Sequence, residues 1–430
     1  MPFSTLGLRP ELLKALKPQD YPAPTPIQTL AIPAVLQGVD VQASAQTGSG
    51  KTAAYVLPLL ELIMRLPRNS PRRVHSLVLV PTRELAVQVG DTLRSLAVYL
   101  PALKITVVFG GVSINPQMMG LRGSADVIVA TPGRLLDLID KNALSLSAVQ
   151  TLVLDEADKL LDLGFQDELQ AILKLLPSRR QNLLFSATFP PAVQNLADAL
   201  LTDPVRVDVL PQIGTAPDIT QRAIAVEAPQ RTQLLRHLFQ SQGWKRVLVF
   251  AATQHACQII AAKLRKAGIN AEPFHGQLGQ GKRSQVLADF KASRLKVVIA
   301  TDVAARGLDI SELPVVVNFD LPRSAVDYTH RIGRTGRAGH SGLAVSFVSP
   351  DTEAHWRLIE KRQNISVPRE VEAGFEPQTI PVPSHPLPNP LLHPLSHPLG
   401  TAHDPSGGMK GKRPNKKDKL RMAQQQTSGQ

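Results

Sequence analysis

Ala45-Gln46-Thr47-Gly48-Ser49-Gly50-Lys51-Thr52 is the stretch that decides the fold. Its spacing is that of a phosphate-binding loop, with Ala45 at a first position where glycine is common. Gly48 and Gly50 let backbone N–H groups turn inward around phosphate oxygens. Lys51 supplies a mobile point charge for the β- and γ-phosphates. Thr52 offers a hydroxyl to Mg²⁺ at a helix start, where the dipole favours an anion. Gln46, Thr47 and Ser49 complete the loop. The alternative is a glycine-rich turn that merely precedes a helix. A full-length match inside a strand–helix chain argues against that alternative.

Downstream, Asp155-Glu156-Ala157-Asp158 follows the apolar run Thr151–Leu154. Carboxylates at the C-terminal end of a parallel strand stand where α/β sheets place ligands. Asp155 is expected to hold Mg²⁺ through water, and Glu156 to orient the attacking water. Taken alone, the tetrapeptide could be a helix N-terminus with dipole-compensating charges. Paired with the loop upstream, it reads as the second half of a metal–phosphate site.

Short apolar runs alternate with stretches of helical length along most of the chain. Expected strands are Leu77–Val80, Ile105–Phe109, Val127–Ala130, Leu152–Leu154 and Leu183–Phe185. A second series follows at Val247–Phe250, Val297–Ala300, Val315–Phe319 and Val345–Val348. Glu84–Tyr99 and Ala256–Ala267 have helical spacing. Continuous apolar strands alternating with helices predict parallel sheets covered by helices on both faces. Val209–Asp218, with Pro211, Gly214 and Pro217, reads as a linker between the two series.

The chain has 430 residues and a net charge of +13, which favours partners rich in negative charge, chiefly nucleic acid or an anionic membrane. No apolar run is long enough to span a bilayer, and Met1–Leu16 does not read as a secretion signal. Cys257 is the only cysteine, which excludes an internal disulfide and argues against a cysteine zinc site. These features predict a soluble, cytoplasmic protein. Seven prolines lie between Pro381 and Pro398, with His-Pro-Leu recurring at His385, His393 and His397. Proline at this density blocks helix and sheet ladders, so an extended, disordered tail is expected. It ends in Lys410, Lys412, Arg413, Lys416, Lys417, Lys419 and Arg421, opposed only by Asp418. Such a cluster on a tether reads as a non-specific hook for nucleic acid.

With Asp155–Asp158 spelling D-E-A-D, the chain resembles the DEAD-box ATP-dependent RNA helicases from Phe3 to about Ile365. Other blocks of that family stand in order: Pro81-Thr82-Arg83-Glu84-Leu85-Ala86, Gly110-Gly111, Thr131-Pro132-Gly133-Arg134 and Ser186-Ala187-Thr188. In the second half come His275-Gly276, Gln280 and Arg283, then Thr301–Asp309 and His330–Arg337. His275–Phe290 and Gly374–Pro377 resemble the bacterial RhlE-type subgroup. Upstream, Tyr21, Pro24, Ile27 and Gln28 match the family's adenine-reading motif, with Asp20 standing where glycine is usual. The resemblance implies that the Gln28 carboxamide reads adenine and that Phe3 stacks on the base.

The resemblance further implies two tandem RecA-like domains, at 1–208 and 219–366, joined by a linker at 209–218 and followed by a tail at 367–430. Arg334 and Arg337 would cross the interdomain cleft to the γ-phosphate, and Asp302 and Asp309 would touch ribose or neighbouring motif groups. Ser186 and Thr188 would couple Asp158 to His330. Single-stranded RNA or a short duplex would lie on Thr82, Arg83, Gly110, Gly111, Thr131 and Arg134 of the first lobe. Gly276, Arg283 and Thr301 would serve in the second. Such groups suit phosphate and sugar contact, not base reading. The expected activity is RNA-stimulated ATP hydrolysis with Mg²⁺ that separates short duplexes locally. An ATP-gated RNA clamp or annealing chaperone uses the same motifs. A monomer is expected, acting on ribosomal precursors or with RNA-decay machinery.

Overall fold

In the first lobe of the computed structural model, seven strands form one sheet. They are β1 (Val41–Ser44), β2 (Ser76–Leu79), β3 (Ile105–Val108), β4 (Val127–Ala130), β5 (Thr151–Asp155), β6 (Gln181–Ser186) and β7 (Val205–Asp208). The order across the sheet is β3-β4-β2-β5-β6-β1-β7. The second lobe adds β8 (Ile219–Ala225), β9 (Val247–Phe250), β10 (Ala271–Phe274), β11 (Val297–Ala300), β12 (Val315–Asn318), β13 (Gly342–Val348) and β14 (Arg369–Val371). Their order is β10-β11-β9-β12-β13-β8-β14. Every strand pair within these sheets is parallel. The structure describes residues 2–19, 21–45, 48–67, 72–101, 103–209, 219–305, 313–336 and 341–377.

Alternation along the strands explains why helices cover both faces. Val78, Val127, Val129 and Val153 enter one core with helix Lys51–Ile63 and helix Arg83–Leu96. Their neighbours Leu77, Leu79, Ile128 and Leu152 enter the opposite core with helix Pro132–Asp140 and helix Gln166–Leu175. Full burial of one such side chain contributes about 1.5–3 kcal/mol, which makes a one-residue slip of register costly on both faces at once. The expected strands all form, and the α/β architecture with two RecA-like lobes stands.

Five strands escape a reading by apolar runs: β1, β7, β8, β10 and β14. They are short or mixed in polarity because they lie at or near sheet edges. β10 even contains Pro273, tolerated because an edge strand needs fewer ladder donors. β14 corrects the expected end of the second domain at 366. Its three residues pair with β8, and Arg369 anchors them to helix Glu353–Gln363 through Glu353 at 3.1 Å and Glu360 at 2.8 Å. Phe375 then packs against the second-lobe core and the His237 ring. The folded chain therefore runs to at least residue 377. Most of the expected linker (210–218) and the rest of the tail lie outside the described residues.

Parallel packing carries the candidate residues to one end of each sheet. The phosphate loop follows β1, Thr82 follows β2, Gly110 follows β3, Thr131 follows β4 and Ser186 ends β6. In the second lobe, Gly276 follows β10 and Thr301-Asp302 follow β11. This is the edge at which open α/β sheets bind ligands.

Candidate active site

Gly48 and Gly50 adopt φ of 85° and 92°, the left-handed region that favours glycine. Gly50 is required for a second reason. A Cβ there would lie 2.5 Å from Gln28 Nε2. Lys51, the first residue of its helix, is buried and donates to Ala45 O. Burial lowers its pKa, opposed by the nearby charges of Asp155 and Glu156. Gln46 and Thr47 lie outside the described residues.

Asp155 ends β5 fully inside the lobe. Its Oδ1 accepts from the Glu156 N–H at 2.9 Å and its Oδ2 from the Tyr55 hydroxyl at 2.7 Å. Burial raises its pKa to about 6, the Glu156 charge adds to the rise, and Lys51 and the Tyr55 hydrogen bond oppose it. Such a carboxylate is held in place but weakly content with its own charge, as suits a cation ligand. Each of its oxygens keeps a further lone pair by count. The donor set, a carboxylate with the Thr52 hydroxyl, is hard oxygen and fits Mg²⁺. No group of three or more His, Cys, Asp or Glu side chains able to hold a metal exists among the described residues.

Glu156 has φ of 52°, rare for a side chain with a Cβ, and it opens helix Ala157–Asp162. Its Oε1 meets Lys159 Nζ at 2.8 Å, and its Oε2 is buried with no hydrogen-bond partner. Asp158 is tied into the same shell. Thr188 Oγ1 donates to Asp158 Oδ2 at 2.9 Å, the Asp158 N–H donates to Ser186 Oγ at 3.2 Å, and Ser186 Oγ donates to Thr188 O at 2.8 Å.

At the base end, Gln28 is more enclosed than an open adenine reader. Its Oε1 accepts from the Thr25 N–H at 2.9 Å, capping helix Pro26–Leu36, and its Nε2 donates to Gly50 O at 3.1 Å. Gln28 thus ties the motif to the phosphate loop and keeps one N–H by count. Phe3 is buried in the first-lobe core, edge-on to Tyr21 at 6.3 Å between ring centres. Asp20 lies outside the described residues.

The second lobe faces this shell across a cavity of about 930 Å³. Asp158, Thr188 and Phe189 line one side, and Thr301, Asp302, His330 and Arg331 the other. Thr301, expected on RNA, stands here. Arg334 and Lys159 share a smaller recess with His330. Burial lowers the His330 pKa, Lys159 and Arg334 add to that, and Asp158 opposes it. Asp302 does not stand open to a ribose: both its oxygens accept from Arg331, at 2.6 and 2.7 Å. Arg331 also donates to Asn318 and to Asp320 O. Asp309 and Arg337 lie outside the described residues.

The expected RNA residues of the first lobe converge. The Arg83 guanidinium lies so close over Gly111, whose φ is 76°, that a Cβ there would meet it at 1.9 Å. The Gly110 N–H donates to Thr131 Oγ1 at 3.3 Å, and Thr82 Oγ1 caps helix Arg83–Leu96. Two arginines depart from expectation. Arg134 is buried and donates to Val112 O at 2.8 Å, bracing the Gly110-Gly111 loop from beneath. Arg283 is buried against Glu84 of the first lobe at 2.8 Å and over the Phe274 ring. It joins the two lobes. Gly276 lies apart from these, near Gln254.

Residues 25–196 match the family described as DEAD/DEAH box helicase, and residues 230–339 match the helicase conserved C-terminal domain. Over 359 residues the chain is 41% identical to the DEAD-box ATP-dependent RNA helicase CshA of Bacillus cereus, covering 84% of this chain and 67% of that one. The CshA of Geobacillus kaustophilus is 42% identical over 84% of this chain and 76% of its own. The chain belongs to the DEAD-box RNA helicase family. Among solved structures, S. cerevisiae Dbp5 bound to RNA and ADP BeF3 superposes with a TM-score of 0.76 at 30% identity, covering 86% of this chain and 95% of Dbp5. Both of these relatives carry the CshA name, so the comparison supports the DEAD-box family and not specifically the RhlE-type subgroup. No helix among the described residues is long and apolar enough to cross a membrane.

Reading the DEAD-box motifs alone missed three residues that hold the site. Tyr55, one turn beyond Lys51, fixes Asp155. Lys159, one residue beyond the D-E-A-D block, fixes Glu156. Arg331, inside the His330–Arg337 block, occupies Asp302. The first two carried a signal that could have been read: polar side chains at helical spacing from a catalytic residue.

Proposed function

We propose that this DEAD-box chain hydrolyses ATP in response to RNA and uses lobe closure to separate short duplexes locally. The observation that carries the reading is the cavity between the lobes, with Asp158 and Thr188 on one wall and His330 and Arg331 on the other. Lys51 and the loop Gln46–Thr52 hold the phosphates, with Tyr21, Gln28 and Phe3 at the base. Mg²⁺, held by Thr52 and Asp155, would neutralise charge on the β- and γ-phosphates. Glu156 orients the attacking water through its free oxygen. Arg334 and Arg337 stabilise the transferring phosphoryl group from the second lobe, so hydrolysis requires closure. Asp158, Ser186, Thr188 and His330 transmit that closure.

RNA lies on Thr82, Arg83, Gly110, Gly111, Thr131, Gly276 and Thr301, with Arg134 and Arg283 bracing the surface. Contacts of this kind read backbone and 2′-hydroxyl rather than bases. The basic cluster Lys410–Arg421 adds a tethered, sequence-tolerant hook. The RhlE-type subgroup reading rests on His275–Phe290 and Gly374–Pro377 alone.

The test is a pair of assays on the full chain. ATP hydrolysis is measured with RNA and with DNA of one sequence, and displacement of a short RNA duplex is measured with and without ATP. Stimulation by RNA over DNA and ATP-dependent displacement are expected. RNA stimulation without displacement would favour a clamp or annealing chaperone. Equal stimulation by DNA would overturn the RNA reading.

A further inference from the structure

Lys159 is a fully buried charged side chain, and none of the motifs quoted above includes it. It sits on the first turn of helix Ala157–Asp162, three residues after Glu156, a spacing that brings a side chain back over the helix start. A buried ammonium needs a charged partner. Asp302 and Asp327 line the same recess as Lys159, and Asp158 precedes it in the chain. Both Asp302 oxygens are held by Arg331. Asp158 accepts from the Thr188 hydroxyl and from the Lys159 backbone N–H. Asp327 accepts from the Ser324 hydroxyl. The ammonium goes to Glu156 Oε1, at 2.8 Å.

We propose that Lys159 is a positioning residue for hydrolysis: it pins one oxygen of Glu156 and thereby aims the other, Oε2, at the attacking water. A glutamate side chain has several rotamers, and a water-orienting carboxylate must keep one of them. The left-handed backbone at Glu156 sets where the side chain starts, and the charge-assisted hydrogen bond to Lys159 sets where it ends. Oε2 is the one carboxylate oxygen of this shell that is buried and without a partner. The second lobe contributes to the clamp. Arg331 and Arg334 border Lys159 from across the recess, beside a His330 that burial keeps neutral, and the positive charge of the two arginines favours an ammonium turned towards Glu156. The inference rests on the reading of Glu156 as the residue that orients water.

The test compares Lys159→Met, Lys159→Arg, Glu156→Gln and the double variant Glu156→Gln/Lys159→Met, all in the full chain with saturating RNA. Lys159→Met is expected to lose about 10²-fold in kcat, the scale of a catalytic group displaced by an ångström, with KM for ATP held within about twofold. RNA affinity in the presence of a non-hydrolysable ATP analogue should not change. Lys159→Arg, which restores a cation in reach of Glu156, should recover to within about tenfold of wild type. In the double variant the pair is neutral, so folding does not depend on an unpaired buried charge, and its residual rate should equal that of Glu156→Gln alone. Wild-type kcat in Lys159→Met would overturn the proposal. So would a joint fall of kcat and analogue-dependent RNA affinity, or a double variant slower than Glu156→Gln. Wild-type hydrolysis in Glu156→Gln itself would bring down the reading of Glu156, and this inference with it.

Discussion

Numbered within each lobe, the strands of both sheets follow one order, third, fourth, second, fifth, sixth, first, seventh, yet the glycine loop proposed to hold phosphate follows the first strand of the first lobe and not that of the second. In the first lobe, β1 runs into the glycine loop and Lys51 heads the next helix, with Asp155 at the end of the fifth strand. In the second, β8 runs into Val226–Gln230, and Arg231 heads helix Arg231–Ser241. Asp320 lies just beyond β12, the fifth strand of that sheet. There the two charges close on each other. Arg231 Nη1 donates to Asp320 Oδ1 at 2.9 Å, and its Nε donates to Ser349 Oγ at 3.0 Å. The same corner of the fold is thus an anion cradle in one copy and a sealed ion pair in the other. What separates them is glycine, which opens backbone N–H groups, against an arginine fork that closes on a carboxylate. The second lobe, having no such cradle, serves the first with cations.

Removing the cradle's charge is the most severe way to break this comparison. Lys51→Ala should abolish ATP binding or nearly so, measured by titration with a fluorescent ATP analogue. Near-wild-type binding would move the phosphate site away from the first lobe. Removing the second lobe's contribution should act on turnover instead. Arg334→Ala is expected to lower RNA-stimulated kcat by about 10³-fold or more, as for an arginine finger, while ATP affinity without RNA holds. Arg337→Ala should behave alike. Equal losses in binding and turnover would make these residues structural.

The sealed corner answers to stability. Arg231→Met leaves Asp320 and Ser349 without their partner and should cost about 2 kcal/mol in urea unfolding, less than a fully buried pair because Asp320 is partly exposed. The KM for ATP should stay unchanged. A raised KM with unchanged stability would reveal a nucleotide subsite in the second lobe. The smallest effect concerns pH. Burial keeps His330 neutral in the folded chain below its ordinary pKa. The unfolded chain therefore binds the extra proton, and stability falls as pH drops below about 6.5. His75 and His275 are lowered by burial too, so the wild-type slope is a sum. His330→Gln should flatten it by one histidine's share between about pH 5.5 and 7.5. An unchanged slope would place His330 in water, away from the lobe contact.

Much of this organisation is legible in local sequence. Central strands such as Val127–Ala130 and Val247–Phe250 are continuous apolar runs because both their faces are covered. β8 and β14 are not, because β8 has only the three-residue β14 beyond it, β14 is the sheet edge where polar residues are tolerable, and three residues have no period to read. Arg369 carries the reason β14 folds, and its partners Glu353 and Glu360 are set by the helix that packs there, not by neighbours in the chain.

By itself, the sequence determined the phosphate loop, the D-E-A-D carboxylates, the helicase blocks and the doubled α/β plan. Each depends on residues close together in the chain, where backbone conformation and spacing alone bring the chemistry into line. Only the tertiary structure decided which charges stand free and which are bound. Arg283 and Glu84 lie in different lobes, Arg331 and Asp302 on different elements, and Arg231 at a helix start while Asp320 lies beyond a strand. A charge's role follows from its nearest opposite charge in a medium of low dielectric, and folding, not sequence distance, chooses that neighbour.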